Sequence, residues 1–538
     1  DTIGHLRGPQ IMQWLEKNRD LLEDAEILAR IHDLHERTLA AAENGESYRA
    51  IELAKQRDRV LIDAYTQAHH SREGEFRAVW EHSGTGAYAE GWDKTMRVLS
   101  ESGFNAIMPN TFWGGVAYHR SEILPVADIV EEKGDQVAQA VEAGKRWGIQ
   151  VHPWKVNFRL ARGTPEAFIE RMRSEGRLQK TFGGEEQPWL CPSDPRNQEL
   201  EIASMVEVAT NYDVAGVHFD YIRYPGGNNC YCEGCRERFE ADTGVEIENW
   251  PEDTRKEGIQ EKWLQWRAAQ ITHIVAETGR RVHAARPECK VSAAVFRNYP
   301  NCLTGVGQDW VTWAKEGYVD FLCPMDYTNS DVAFGGQVIT QLGQVDGAVP
   351  VYPGIGASSS SSTLSPDRVA GQIEIARHAG TDGFIIFNYT ATLGDTVLPA
   401  LGGGVTSEAA AVPHDGPEFD FDLTQTPDLL MRAVALDPGQ TVAGTITRLR
   451  DEMLAFGDFN AEVLLETADG RMLQELGRIS DEEPELDYDI ALQESGIYRI
   501  AVRGTATSEA LGTRPFTRRS MPVVVGSPPE DFGRFIPL

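Results

Sequence analysis

The sequence predicts a parallel (β/α)8 TIM barrel, preceded by a helical segment and followed by a β-sandwich. Three observations carry this fold class. Eight short apolar or β-rich runs alternate with helix-prone stretches between residues 75 and 400, the pattern of βα units around a parallel sheet. Residues 5–72 repeat apolar positions at helical spacing instead. After Phe419 the chain changes to short strands separated by turns.

The helical segment, residues 1–73, places Trp14, Leu15, Leu21, Leu22, Ile27, Leu28, Ile31 and Leu34 among charges, and a second such run covers Tyr48 to Ala68. It holds no cluster of reactive side chains and reads as scaffold. His69-His70 reads as a solvated helix end or, less simply, as a metal site.

The barrel is expected over residues 74–402. Its strands are the runs Phe76–His82, Asn105–Phe112, Ile149–Phe158, Val214–Ile222, Lys290–Phe296, Val319–Tyr327, Val349–Gly356 and Gly383–Tyr389. Eight units over about 325 residues suit a barrel with enlarged loops. A doubly wound open sheet is the alternative, but the first strand is followed by only Gly84-Thr85-Gly86, without the third glycine of a phosphate loop. A linker, 403–416, is rich in Gly and Pro. Residues 417–538 carry strand-like runs such as Leu429–Leu436, Thr441–Thr447, Ala461–Thr467, Gly496–Arg503 and Met521–Val525, with turns at Pro438-Gly439 and Asp469-Gly470. Such runs suit an accessory β-sandwich.

Composition narrows the function. The chain has 538 residues, 41% hydrophobic and 25% charged, with a formal net charge of −31. That charge disfavours nucleic acid and anionic membranes as partners. No apolar run is long enough to span a bilayer. The chain opens Asp1-Thr2-Ile3-Gly4 without an initiator Met, and no signal peptide is visible.

In a barrel of this kind the C-terminal strand ends open onto the active site. The central stretch is Val214-Ala215-Gly216-Val217-His218-Phe219-Asp220-Tyr221-Ile222-Arg223-Tyr224-Pro225. Period-two alternation puts Val217, Phe219 and Tyr221 on one face and His218 and Asp220 on the other. The remaining strand ends offer Glu81, Asn110, Trp113, His152, Trp154, Asn157, Arg297, Asp326, Tyr327, Tyr352 and Asn388. Aromatic rings stack on sugars, Asn, His and Arg bond hydroxyls, and two carboxylates can cleave a glycosidic bond. Asp220 and Asp326 are the expected catalytic pair, and the other residues, with His218 and Arg223, the expected substrate contacts. Asp326 could instead cap its loop, and Asp220 could be a buried partner of Arg223. Glu81 is the reserve carboxylate. No cofactor for catalysis is expected.

Seven cysteines make an odd number. Cys230, Cys232 and Cys235 form Cys-x-Cys-x-x-Cys, and Cys191 lies in the preceding βα loop. Four thiolates close a tetrahedral sphere, the pattern of a structural zinc. Ordinary thiols or one disulfide are the competing reading.

These motifs resemble the glycosyl-hydrolase-like family 10 proteins, within the broad α-galactosidase-like barrel superfamily. The resemblance rests on Gly216 to Pro225, Phe76-Arg77-Ala78-Val79-Trp80, Gly103-Phe104-Asn105-Ala106-Ile107, Cys323-Pro324-Met325-Asp326-Tyr327 and Gly383-Phe384-Ile385-Ile386-Phe387-Asn388-Tyr389. It implies a (β/α)8 barrel and hydrolysis of a poly- or oligosaccharide, expected to be α-linked, with Asp220 as nucleophile and Asp326 as acid/base. The cysteine loop is also similar to the zinc cluster of family 42 β-galactosidases. A carbohydrate is the expected partner, and a secreted or periplasmic bacterial protein the expected setting. Two other functions compete: a non-catalytic glycan-binding barrel, and a lyase or transglycosylase using the same cleft. Arg223, Arg297 and Lys155 leave sulfated or uronic glycans open.

Overall fold

The computed structural model describes residues 7–22, 24, 26–160, 163–428, 432–449 and 456–526. Eight parallel strands form the centre: β1 Phe76–Glu81, β2 Ala106–Trp113, β3 Trp154–Val156, β4 Gly216–Asp220, β5 Lys290–Val295, β6 Phe321–Pro324, β7 Gly354–Gly356 and β8 Gly383–Phe387. They pair in the order β7-β8-β1-β2-β3-β4-β5-β6. A parallel bridge between Leu322 and Val351 joins the two ends, with the Leu322 N–H donating to Pro350 O at 3.0 Å and the Tyr352 N–H to Leu322 O at 2.9 Å. The sheet therefore closes on itself, and every expected barrel run contains a strand. The third is short because Pro153 separates it from the two-residue strand Gln150–Val151, where a missing N–H interrupts the ladder.

Alternation along the strands sorts two cores. Phe76, Ala78, Trp80, Ala106, Met108, Trp154, Val156, Ala294, Phe321, Cys323 and Ile385 pack together inside the barrel. Val79, Ile107, Val217, Phe219, Val291, Ala293, Leu322 and Ile386 face the surrounding helices. Glycine is required where strands approach bulky neighbours. A Cβ at Gly354 would lie 2.7 Å from Pro324 O and 3.0 Å from the Trp80 ring, and one at Gly216 would lie 2.3 Å from His152 Nδ1.

The helices begin where sequence chemistry says they should. Asp135 caps Gln136–Trp147 by accepting from Ala138 N, and Gly148 ends it at φ 69°. Asp194 caps Pro195–Asn211, which carries proline in its first turn. The N-terminal segment forms helices α1 Arg7–Lys17, α2 Ile27–Glu43 and α3 Ser47–Gln67. His69 is not the solvated helix end expected. Its ring lies 5.0 Å from Trp14 and 4.6 Å from Tyr65.

The C-terminal part is two sheets over a common core. Strands Phe419–Leu423, Thr441–Arg448 and Glu485–Ala491 form one, and six strands between Val434 and Val525 the other. Val442, Ile446, Ile490, Val463, Ile500 and Val502 lie between them, so the expected sandwich is present. Of the expected strand Leu429–Leu436, residues 429–431 lie outside the described residues.

Buried ion pairs join all three parts. Glu75 accepts from Arg77 Nε at 2.8 Å and from both Arg377 Nε and Nη2 at 2.7 Å. Arg72 donates to Thr381 O of the barrel at 2.8 Å and to Ala468 O of the sandwich. Arg499 binds Asp382 at 2.7 Å, and Arg519 binds Glu466. The side chains of Arg72, Glu75, Arg77, Glu466 and Arg519 are wholly buried. Below the barrel, His414 of the linker stacks on Phe321 at 4.8 Å and meets the Tyr352 hydroxyl at 2.9 Å. The linker is thus part of the barrel floor.

Candidate active site

Asp220 is the last residue of β4 and points into the barrel mouth from the same face as His218. Its side chain is 5% exposed. Oδ1 accepts from the Tyr221 N–H at 2.6 Å. Burial raises its pKa to about 6, against the lowering pull of the nearby Arg223 charge. The Trp154 indole N–H is directed at this carboxylate and pulls its pKa down slightly. Asn110 donates to Trp154 O at 3.1 Å, leaving its own Oδ1 buried without a partner.

Tyr221 follows with φ 53°, in the left-handed region that a bulky residue rarely adopts. The turn aims Arg223 back over the mouth. Its guanidinium lies 4.5 Å from the Tyr221 ring, 4.6 Å from Phe296 and 5.8 Å from Trp189. Arg159, after β3, lies 5.9 Å from the same Tyr221 ring. On the opposite wall, Tyr327 stacks on Phe387 at 5.3 Å and 19° and meets Trp80 edge-on at 6.2 Å. Trp113 packs at the end of β2, and Asn388 follows β8 with Oδ1 buried and unpaired. The mouth therefore joins one carboxyl, two guanidiniums, amides and aromatic faces.

Several expected contacts lie elsewhere. Asp326 is wholly buried. Phe321 and Cys323 point inward, so Asp326, five and three residues on, points outward by period two. Its Oδ1 accepts from Gln341 Nε2 at 2.6 Å, on helix Asp331–Val345. The expected pairing of Asp220 and Asp326 across the mouth is not what this geometry provides. Burial holds the Asp326 carboxyl up at about 8, with Gln341 and Arg297 pulling it down. Arg297 also donates to Tyr327 O at 3.0 Å.

Glu81 faces its own turn, accepting from Ser83 N at 2.8 Å and Gly84 N at 2.9 Å. Asn157 and Lys155 turn outward to Glu201, at 2.8 and 3.0 Å. His152 lies in the floor, 6.1 Å from Phe76 and 5.8 Å from Phe321, and Tyr352 is 4.5 Å from Phe76 there. His218 Nε2 accepts from Trp80 Nε1 at 3.0 Å, and its Nδ1 lies 2.8 Å from Ser292 Oγ. Burial lowers its pKa to about 3, so the ring is neutral and locked rather than free for a sugar or for Asp220. Conversely, Arg159, Trp189, Tyr221, Phe296 and Phe387 joined the site without being expected. Tyr221 and Phe387 stood in motifs already singled out.

Beside the mouth, the Sγ atoms of Cys191, Cys230, Cys232 and Cys235 lie within 4.8 Å of one another. Cys191–Cys235 is 3.4 Å, and Cys232 is 3.6 Å from both. Tetrahedral zinc at a bond length of about 2.3 Å needs sulfurs roughly 3.8 Å apart. The four thiols are free and buried, and the set fits the ion. Arg238 Nη2 approaches Cys191 Sγ at 3.7 Å, suited to an anionic cluster.

No helix among the described residues is long and apolar enough to cross a membrane. A 111-residue stretch, 19% of this chain, is 26% identical to an S-layer-related protein of Niallia circulans and spans 7% of that protein. Among solved structures, the PgaB (BpsB) glycoside hydrolase domain of Bordetella bronchiseptica superposes with a TM-score of 0.48 at 13% identity, over 61% of this chain and 98% of that one. Gan42B, a GH42 β-galactosidase from G. stearothermophilus, gives 0.47 at 9% identity, over 85% and 99%. The sequence profile of the family described as glycosyl hydrolase-like 10 matches residues 75–349, which is the barrel from its first strand to the loop before β7, and the chain is a member of that family.

Proposed function

We propose that this barrel hydrolyses glycosidic bonds in a poly- or oligosaccharide, with Asp220 as the carboxyl that meets the scissile bond. The observation that carries this reading is the setting of Asp220. It combines a carboxyl with a pKa raised to about 6, the Trp154 N–H directed at that carboxyl and aromatic rings around the rim. A carboxyl poised near neutrality can give up or take a proton at the glycosidic oxygen or at an attacking water. Asp326 is assigned a positioning role behind the wall rather than that of acid/base. The α linkage rests on the superfamily resemblance alone. The test is a panel of glycans incubated with the purified protein, with product anomers read by NMR. Hydrolysis lost in Asp220→Asn supports the reading, and an Asp220→Asn protein as active as the parent overturns it.

One observation favours the glycan-binding alternative. Of the expected carboxylate pair, only Asp220 reaches the mouth, and two-carboxylate hydrolysis needs a second. Binding without cleavage across the panel would select that alternative.

For the cysteine cluster we propose a structural zinc held by Cys191, Cys230, Cys232 and Cys235. The ion would tie the loop after β4 to the loop after β3. It takes no part in the chemistry, since four protein ligands leave no open position.

A further inference from the structure

We infer that the mouth takes an anionic glycan, whose carboxylate or sulfate ester is bound by Arg223 and Arg159. This rests on the glycan reading above and adds the charge of the substrate.

Arg223 is 9% exposed, yet it forms no ion pair within 4.0 Å of a carboxylate among the described residues. Its one hydrogen bond runs from Nη1 to Tyr224 O at 3.0 Å, while Nε is buried with no partner. A largely desolvated guanidinium normally has its donors taken by a carboxylate or by carbonyls. Here three aromatic rings hold it in place without using its in-plane N–H groups. A plane fixed by stacking with donors left over is the arrangement that binds carboxylate or sulfate bidentately.

Arg159 strengthens the case from a second strand end. It approaches the same Tyr221 ring, and it too has no ion pair among the described residues. Burial first, and the Arg159 charge in addition, lower the Arg223 pKa, so an anion beside the two guanidiniums offsets like-charge repulsion. Asp220 supplies only part of that relief. It lies near Arg223 electrostatically but outside ion-pair distance, and its Oδ1 is engaged by Tyr221 N. Other buried arginines have their partners within the chain: Arg267, which also lacks a carboxylate among the described residues, donates to the carbonyls of Gly226 and Asn229. In a chain of net charge −31, acidic partners are plentiful, and Arg377, Arg499 and Arg519 are all matched to carboxylates.

The experiment uses the full chain carrying Asp220→Asn, so that binding is read apart from turnover. Calorimetry compares two matched pairs: oligogalacturonate with its methyl ester, and a sulfated galactan oligosaccharide with its desulfated form. The expected result is at least about tenfold tighter binding of one charged member than of its neutral match, weakening as salt rises. Preference in the first pair identifies a uronate, and in the second a sulfate ester. Arg159→Gln, on the surface, should remove most of that preference while leaving the melting temperature unchanged. Arg223→Lys, which keeps the charge and loses the fork, should remove part of it. Equal or tighter binding of both neutral members, or no binding of either charged one, overturns the inference. The hydrolase reading fails separately, when the parent protein binds a charged glycan and cuts none.

Discussion

Asp326 and Gln341 meet behind the barrel wall, with Gln341 Nε2 donating to Asp326 Oδ1 at 2.6 Å. The contact belongs to the layer between β6 and its following helix, not to the mouth. Burial in that layer raises the Asp326 pKa to about 8 even though the Gln341 bond and Arg297 pull it down, so the carboxyl is neutral at pH 7.

Asp326→Asn should therefore keep most activity on any glycan the parent cleaves, losing less than about tenfold in kcat. Asp220→Asn should lose about two orders of magnitude or more. Steady-state rates of the two variants on one substrate decide this. Equal, severe losses would restore Asp326 to the chemistry.

The same two carboxyls set a pH dependence of stability. Both folded pKa values are raised above the ordinary 3.8. A raised carboxyl stabilises the fold below its unfolded pKa, and that stabilisation is lost as pH rises through the folded value. Stability should thus decline from about pH 4 through 6 for Asp220, and onward to about 8 for Asp326. Asp326→Asn should flatten the upper part and gain on the order of a few kcal/mol at pH 9 relative to the parent. Denaturant melts at pH 5, 7 and 9 measure it.

Glu75 has the opposite sign. Arg377 and Arg77 hold its carboxyl down to about 2 despite burial. Its contribution is present above its unfolded value of 4.5 and fades as pH falls toward 2. Glu75→Gln leaves three buried arginines short of charge and should destabilise by about 3–5 kcal/mol at pH 7. The difference from the parent should shrink below pH 4, as seen in urea unfolding.

If the four thiols hold zinc, elemental analysis should give one ion per chain. Chelation should lower the melting temperature and release four titratable thiols. Cys232→Ser should reduce zinc content and stability more than Cys289→Ser, whose sulfur lies at the start of β5, away from the cluster. Zinc content unchanged in Cys232→Ser would reject the site.

The barrel was legible because strand-sized apolar runs followed by helix-prone stretches recur eight times, and burial on both faces made runs such as Gly383–Phe387 continuously apolar. The sandwich was half legible. Met472–Ser480 exposes Met472 and Leu473, and Gly512–Arg519 is rich in Thr and Arg, so neither shows the clean alternation of a half-buried strand. Phe419–Leu423 alternates Phe and Asp and was readable, but it adjoined the linker. Within the site, alternation placed Asp220 correctly. Applied from Phe321 and Cys323, the same rule would have turned Asp326 outward. His152 and Tyr352 were misplaced because they precede strands Trp154–Val156 and Gly354–Gly356 and so lie at the floor end of the barrel. Arg159 and Trp189 arrive on loops, where no periodicity tells which side chains converge.

The buried arginines that cross from helices to barrel to sandwich also limit how this protein can change over generations. Exchange of the C-terminal sheets for those of another gene would leave Arg72 without Ala468 O and Asp382 without Arg499. A hybrid would inherit stranded charge at its seam. Reshuffling of parts is thereby penalised, and variation is channelled to the loops around the mouth, where a new glycan preference costs the junction nothing.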